Sequence, residues 1–225
     1  MYQDILTIAV VTVFAFFAIY WMWFQGEVDG SRLIAKNSMK QQKFNIILVL
    51  VAAFIVKAIL AVKNEGYSVD ITCFRSWSET VFTGGLSHFY EGDVTDYPPG
   101  YMLVLWLVAA IRHLFNIDNY STTGLFMIKL FPMLFDLAAA YLIYVMAKKR
   151  FSEGMSLMLS ALYALNPAVV IDSSVWGQVD GVLCCMVLLT CYLFMEEKRI
   201  LAYFAFCAGV LLKPQMVMFA PIIIY

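Results

Sequence analysis

Three short stretches set reactive side chains beside apolar runs. "YSVDITCFRSW" offers Asp70, "DSSVWGQVDG" offers Trp176, Gln178 and Asp180 within five positions, and "LLKPQ" offers Lys213 and Gln215. A carboxylate at a membrane surface can take a proton from a hydroxyl, assistance worth about 10²–10⁴ in rate. An indole face can stack on the C–H face of a sugar ring while an amide and an acid bind its hydroxyls. A lysine beside a helix-breaking proline can hold a phosphate there, since the proline frees backbone groups. Each residue also has a plainer reading. Asp70 and Asp180 fit helix N-caps, where Asp is preferred, and Lys213 fits a snorkelling side chain above a kink. The N-cap reading leaves Trp176 and Gln178 unexplained. On the chemistry alone both readings stand.

Further polar residues extend the set. In "YEGDVTDYPPGY" Asp93 reads as a solvated loop acid, while Asp96, just before Tyr97 and the prolines, fits either a cap or the wall of a site. Lys129 and Asp136 share one face of an apolar run, two turns apart and too distant to pair. An ionisable group in the centre of a spanning helix costs about 2.5–3.5 kcal/mol, so each needs a partner or water. Lys129 is expected to snorkel outward and Asp136 to join a buried polar network.

The elements that must position these residues are membrane helices. The chain is 63% hydrophobic and 14% charged, against about 45–50% and about 25% in a soluble domain. Net charge is −1 and says little by itself, and no nucleic-acid partner is expected. Five cysteines, four of them in apolar runs, read as no disulfide framework, and no Cys/His cluster has metal-ligand spacing. A span needs about 20 apolar residues. Residues 4–25, 44–62, 123–147 and 154–171 qualify, 181–195 and 200–212 are shorter, and 215–225 is a partial run. The expectation is an all-α polytopic membrane protein with about six to seven transmembrane helices. The first run is too long for a signal-peptide core and lacks a basic start, so it reads as a retained helix. The chain stops inside an apolar run at "FAPIIIY", which reads as an incomplete form.

Basic residues set the orientation. They crowd into 26–43, Lys148–Arg150 and Lys198–Arg199, whereas 63–99 and 172–180 are acidic. All basic loops fall inside if the run Tyr101–Ile111 does not cross, so residues 63–122 read as one external loop with interfacial or re-entrant helices. Within it, Ile71, Phe74, Trp77 (or Ser78) and Val81 recur at helical spacing. This predicts an amphipathic helix over 70–82 lying on the membrane, with Trp77 among the headgroups and a break at Gly84-Gly85.

The order "VD…W…GG…FY…DYPPGY", "LFDLAAAYLIY", "NP…DSSVWGQVDG", "LLKPQ" resembles membrane glycosyltransferases of the GT-C superfamily, closest to bacterial proteins related to the second GPI mannosyltransferase. The resemblance covers 44–225 as a catalytic transmembrane module, leaving 1–43 as an N-terminal helix and basic loop. It implies transfer of one hexose, mannose favoured, from a polyprenyl-phosphate donor, with inversion and without a metal or other cofactor. The acceptor hydroxyl belongs to a glycan, lipid or protein, and the site faces outward from a bacterial cell membrane, among membrane lipids. By position Asp70 is the base and Lys213, with Gln215, meets the lipid phosphate. Asp96, Tyr97, Trp176, Gln178 and Asp180 line the same cavity. Family members usually continue through several more helices. Two rival readings are a transporter or flippase, using Lys129, Asp136 and the helices broken at Pro167 and Pro214, and an inactive truncated remnant.

Overall fold

The computed structural model describes residues 39–92, 95 and 97–224. The run 4–25, Asp93 and Asp96 lie outside the described residues.

Every regular element among the described residues is helical. Helix α1 covers Met39–Lys63, and α2 covers Ser68–Gly92 with a kink at Gly85, whose φ of 75° and ψ of 170° no helix contains. Helix α3 covers Pro99–Leu114, with proline at its first position, where no amide hydrogen is needed. Helix α4 covers Thr122–Ala147 and is capped by Ser121, whose side chain accepts from the Gly124 amide. Helix α5 covers Glu153–Ala164, capped by Ser152. After Asn166, whose side chain caps the Ala168 amide, come the short α6 (Pro167–Val170) and a π-helical turn over Ile171–Trp176. Helices α7 (Asp180–Met195) and α8 (Arg199–Leu212) follow, then a 3₁₀ turn over Pro214–Phe219 and a last turn, α9, over Pro221–Ile224.

Two stretches, Gln41–Lys63 and Thr122–Ala147, are long and apolar enough to cross a membrane. The bent pair α5 and Pro167–Trp176, turned by 48° at the Asn166-Pro167 break, makes a third if it is one span. Helices α3, α7 and α8 have 16, 16 and 14 residues. At 1.5 Å per residue they reach about 21–24 Å, short of a core about 30 Å thick. Among the described residues, length and composition therefore support two spans, or three with the bent pair counted as one.

Contacts fix which end of the bundle each terminus occupies. Lys129, near the start of α4, donates to carbonyls of Ala61 and Asn64 at the end of α1. Thus α1 and α4 run antiparallel, and residues 64–121 leave from and return to the same end. The hairpin of α2 and α3, which pack against each other, therefore starts and finishes at that end of the bundle. Lys213 pairs with Asp180 at that end, while Lys149 pairs with Glu196 at the other.

The main core joins α2, α3, α4, α7 and α8 through Ile71, Phe74, Met102, Leu105, Ile128 and Met186. Elsewhere small residues, Ala53, Ala140 and Ala164, let α1, α4 and α5 approach closely. The predicted stripe on α2 is real but faces protein. Ile71, Phe74, Trp77, Ser78 and Val81 are all buried, and Trp77 packs edge-on against Phe74 and Phe89 rather than sitting among headgroups. Helix α3 supplies the apolar surface that periodicity alone assigned to lipid.

Candidate active site

The chain link between α1 and α2 and the turn after the π-helix are built against each other. Gly66 has φ of 88°, and a Cβ there would meet Ile71 at 2.7 Å and the Trp176 carbonyl at 2.8 Å. That close approach lets the Tyr67 amide donate to the Trp176 carbonyl at 2.9 Å. Gly177, with φ of 91°, ends the π-helical turn, and its amide and that of Gln178 both donate to the Asp172 carbonyl. A left-handed residue with neighbours on both sides can only be glycine without strain.

Lys129 locks the two segments together. Its side chain is fully buried, and its ammonium donates to carbonyls of Asn64 (2.7 Å), Ser174 (2.9 Å), Val175 (3.3 Å) and Ala61 (3.4 Å). It does not snorkel. Carbonyls left over at two helix ends carry partial negative charge and supply its counter-charge.

The result brings Asp70 against the "WGQ" turn. Trp176 donates through Nε1 to Oδ2 of Asp70 at 2.9 Å, and Gln178 donates through Nε2 to the same oxygen at 2.8 Å. Gln178 accepts at Oε1 from the Tyr97 hydroxyl (3.3 Å) and the Val179 amide (3.2 Å). Asp70 thus lies in the first turn of α2, and its carboxylate faces a second segment instead of serving only its own helix. Tyr67 and Trp176 lie 5.1 Å apart, forming an aromatic wall. Trp176 keeps 45% of its surface exposed beside this carboxylate. Beneath, Tyr97 packs on Phe74, Trp77 and Tyr101. Burial, then Tyr97 and Asp70, push the Tyr101 phenol well above its ordinary range, so it stays neutral.

Two residues downstream, Asp180 opens α7 with no side-chain cap bond and pairs with Lys213, which is nearly buried where α8 ends. Lys213 therefore holds a carboxylate. Gln215 is exposed on the 3₁₀ turn, and no hydrogen bond joins it to Asp70 or Asp180 among the described residues. So Asp70, Tyr97, Trp176 and Gln178 form one connected group, Asp180 and Lys213 a second, and Gln215 stands apart. Among the described residues no three His, Cys, Asp or Glu are placed to hold a metal.

Two residues that sequence reasoning did not single out belong to the surroundings. Lys57 lies 2.8 Å from Asp136, both fully buried, and donates also to Ser173 and the Val169 carbonyl. Asp136 thus sits in a buried polar network, as predicted, with Lys57 as its partner. Opposite charges in mid-run on two spans were the available signal. Asp172 lies within electrostatic reach of both the Asp180–Lys213 pair and the Asp136–Lys57 pair. A Cβ on Gly181 would strike the Asp136 carboxylate, so α7 begins directly over that network.

Residues 96–225 match the family described as dolichyl-phosphate-mannose-protein mannosyltransferase. That stretch holds every singled-out site residue except Asp70. A curated relative, GPI mannosyltransferase 1 of Saccharomyces cerevisiae, is 27% identical over 128 residues, which cover 54% of this chain and 29% of the relative. The match thus spans under a third of that relative's length. No solved structure matches. With more than half of its length matched, the chain belongs to the dolichyl-phosphate-mannose-protein mannosyltransferase family, a GT-C type.

Proposed function

We propose that this chain carries the catalytic end of a membrane glycosyltransferase that moves one hexose, with mannose favoured, from a polyprenyl-phosphate donor to an acceptor hydroxyl. The single observation that carries the reading is the Asp70 carboxylate, aimed by Trp176 and Gln178 beside an exposed indole face. The acceptor O–H gives its proton to Asp70 while its oxygen bonds the anomeric carbon. The C–O bond to the phosphate breaks, its electron pair leaves on the lipid phosphate, and the anomeric centre inverts. Positive charge fixed at the leaving group lowers the barrier. Lys213 supplies it, exchanging Asp180 for the phosphate, with Gln215 at the edge. Trp176, Gln178, Tyr97, Asp180 and Asp96 hold the sugar and acceptor. No metal or other cofactor takes part in this scheme.

The module spans 44–225, with 63–122 on the outer face of a bacterial membrane and the basic loops inside, which the positive-inside tendency supports. Six spans result when α7, α8 and the run 4–25 are counted with the three longer ones, and seven with the partial run 215–225. The acceptor is a glycan, lipid or protein hydroxyl. A transporter reading gains nothing from Lys57 and Asp136, which bond each other and their neighbours rather than line a path. The test is sugar transfer in membranes carrying this chain, comparing polyprenyl-phosphate mannose with nucleotide-linked mannose and reading the anomeric configuration of the product. Transfer from the lipid donor alone, with inversion, supports the proposal. Transfer from the nucleotide donor, or retention, overturns it.

A further inference from the structure

The end of the bundle remote from Asp70 contains a cavity of about 480 Å³ between the start of α1 and the end of α4. Its size lies in the range of ligand pockets, about 300–1,000 Å³. Lys43 and Lys148 stand at its head, Tyr141 and Tyr144 form one wall, and Ile46 and Ile47 lie below. Ile46 is buried, whereas Ile47 and Tyr141 keep about half their surface exposed, so the cavity opens onto the apolar flank of α1 and α4. Lys148 lies 5.4 Å from the Tyr144 ring centre and 3.4 Å from Glu153, which also accepts from the Tyr144 hydroxyl. At this end of the bundle, where Lys149 pairs with Glu196 and Lys148 lies near Glu153, Lys43, Lys148, Lys149, Arg150, Lys198 and Arg199 outnumber Glu153, Glu196 and Glu197.

We propose that this cavity binds one anionic phospholipid, its phosphate between Lys43 and Lys148 and an acyl chain along Ile46 and Ile47. Two ammonium groups above an aliphatic floor, opening sideways onto an apolar flank, match a molecule charged at one end and greasy at the other. A zwitterionic lipid gains less there, because its own cation meets the two lysines. Basic pockets between spans recognise anionic headgroups on these terms. A free phosphate would use the lysines and leave the apolar floor unused. The site lies at the opposite end of α1 and α4 from the donor chemistry, so it stands or falls independently of the proposed transfer.

The test is native mass spectrometry of the whole chain released from vesicles of phosphatidylglycerol and phosphatidylcholine in equal parts. Wild type is expected to retain one phosphatidylglycerol preferentially. Lys43→Gln with Lys148→Gln should weaken that retention about twenty-five-fold, each basic side chain being worth about fivefold near an anionic surface. Ile47→Trp, which fills the floor and keeps both lysines, should remove it as well. Equal retention by wild type and both variants overturns the proposal. So does loss in the lysine variant alone, which would mean surface attraction without a seat. Displacement of the lipid by inorganic phosphate would assign the lysines to a free anion and also overturn it.

Discussion

Trp176 and Asp70 are 106 residues apart in the chain, yet the indole N–H donates to the carboxylate at 2.9 Å. This contact keeps the carboxylate of α2 pointing at the turn before α7. Hydrogen bonds to charged groups are worth about 1.5–3 kcal/mol. Trp176→Phe, which keeps an aromatic face and loses the donor, should lower kcat about tenfold to a hundredfold with KM little changed. Steady-state transfer kinetics check this. A rise in KM with kcat preserved would assign Trp176 to sugar stacking alone.

Lys129 bears on the same geometry from behind. Lys129→Met leaves carbonyls of Asn64 and Ser174 buried without their donor. Each such loss costs about 1–3 kcal/mol. The expected outcome is a lower unfolding temperature together with loss of transfer, read by thermal unfolding in detergent and by activity. Lys129→Arg, with donors spread over a larger fork, should restore part of both.

The pair Lys57–Asp136 is predicted to behave as a unit. Removing one partner strands a buried charge, at about 3–5 kcal/mol, whereas replacing both with apolar groups is often close to neutral. Lys57→Met and Asp136→Leu should each destabilise strongly, and the double variant less than either. A double-mutant cycle from chemical unfolding measures the coupling.

These contacts mark where sequence reasoning reached and where it ended. The long apolar helices, the break at Asn166-Pro167 and the bend at Gly84-Gly85 follow from apolar length, proline and glycine. The Asp70–Trp176–Gln178 group was legible as residue types but not as contacts, because it depends on two glycine turns and on Lys129 joining distant segments. The stripe of α2 has the same periodicity whether lipid or protein covers it, so the cover from α3 was not readable. Lys57 went unread because a single lysine in a long apolar run resembles a tolerated defect until its acid is found in another helix.

The hairpin of α2 and α3 carries a pH dependence. Burial alone would raise the Glu79 carboxyl, but bonds from Arg112 and His113, and their charges, hold it below its ordinary value. A lowered folded-state value stabilises the hairpin above the unfolded pKa, and that contribution is lost as pH falls through the lowered one. Protection against hydrogen exchange in α2 and α3, corrected for the intrinsic pH dependence of exchange, should therefore fall on acidification below the ordinary carboxylate range. In Glu79→Gln that dependence should flatten.

The most direct test of the central claim is transfer of mannose from its polyprenyl phosphate in membranes carrying this chain, wild type against Asp70→Asn. Asparagine keeps the size of the side chain and cannot take a proton at the carboxylate's basicity. The account predicts a fall of about 10²–10⁴ in kcat, with the protein still inserted and folded. An Asp70→Asn variant that transfers mannose at the wild-type rate would contradict it.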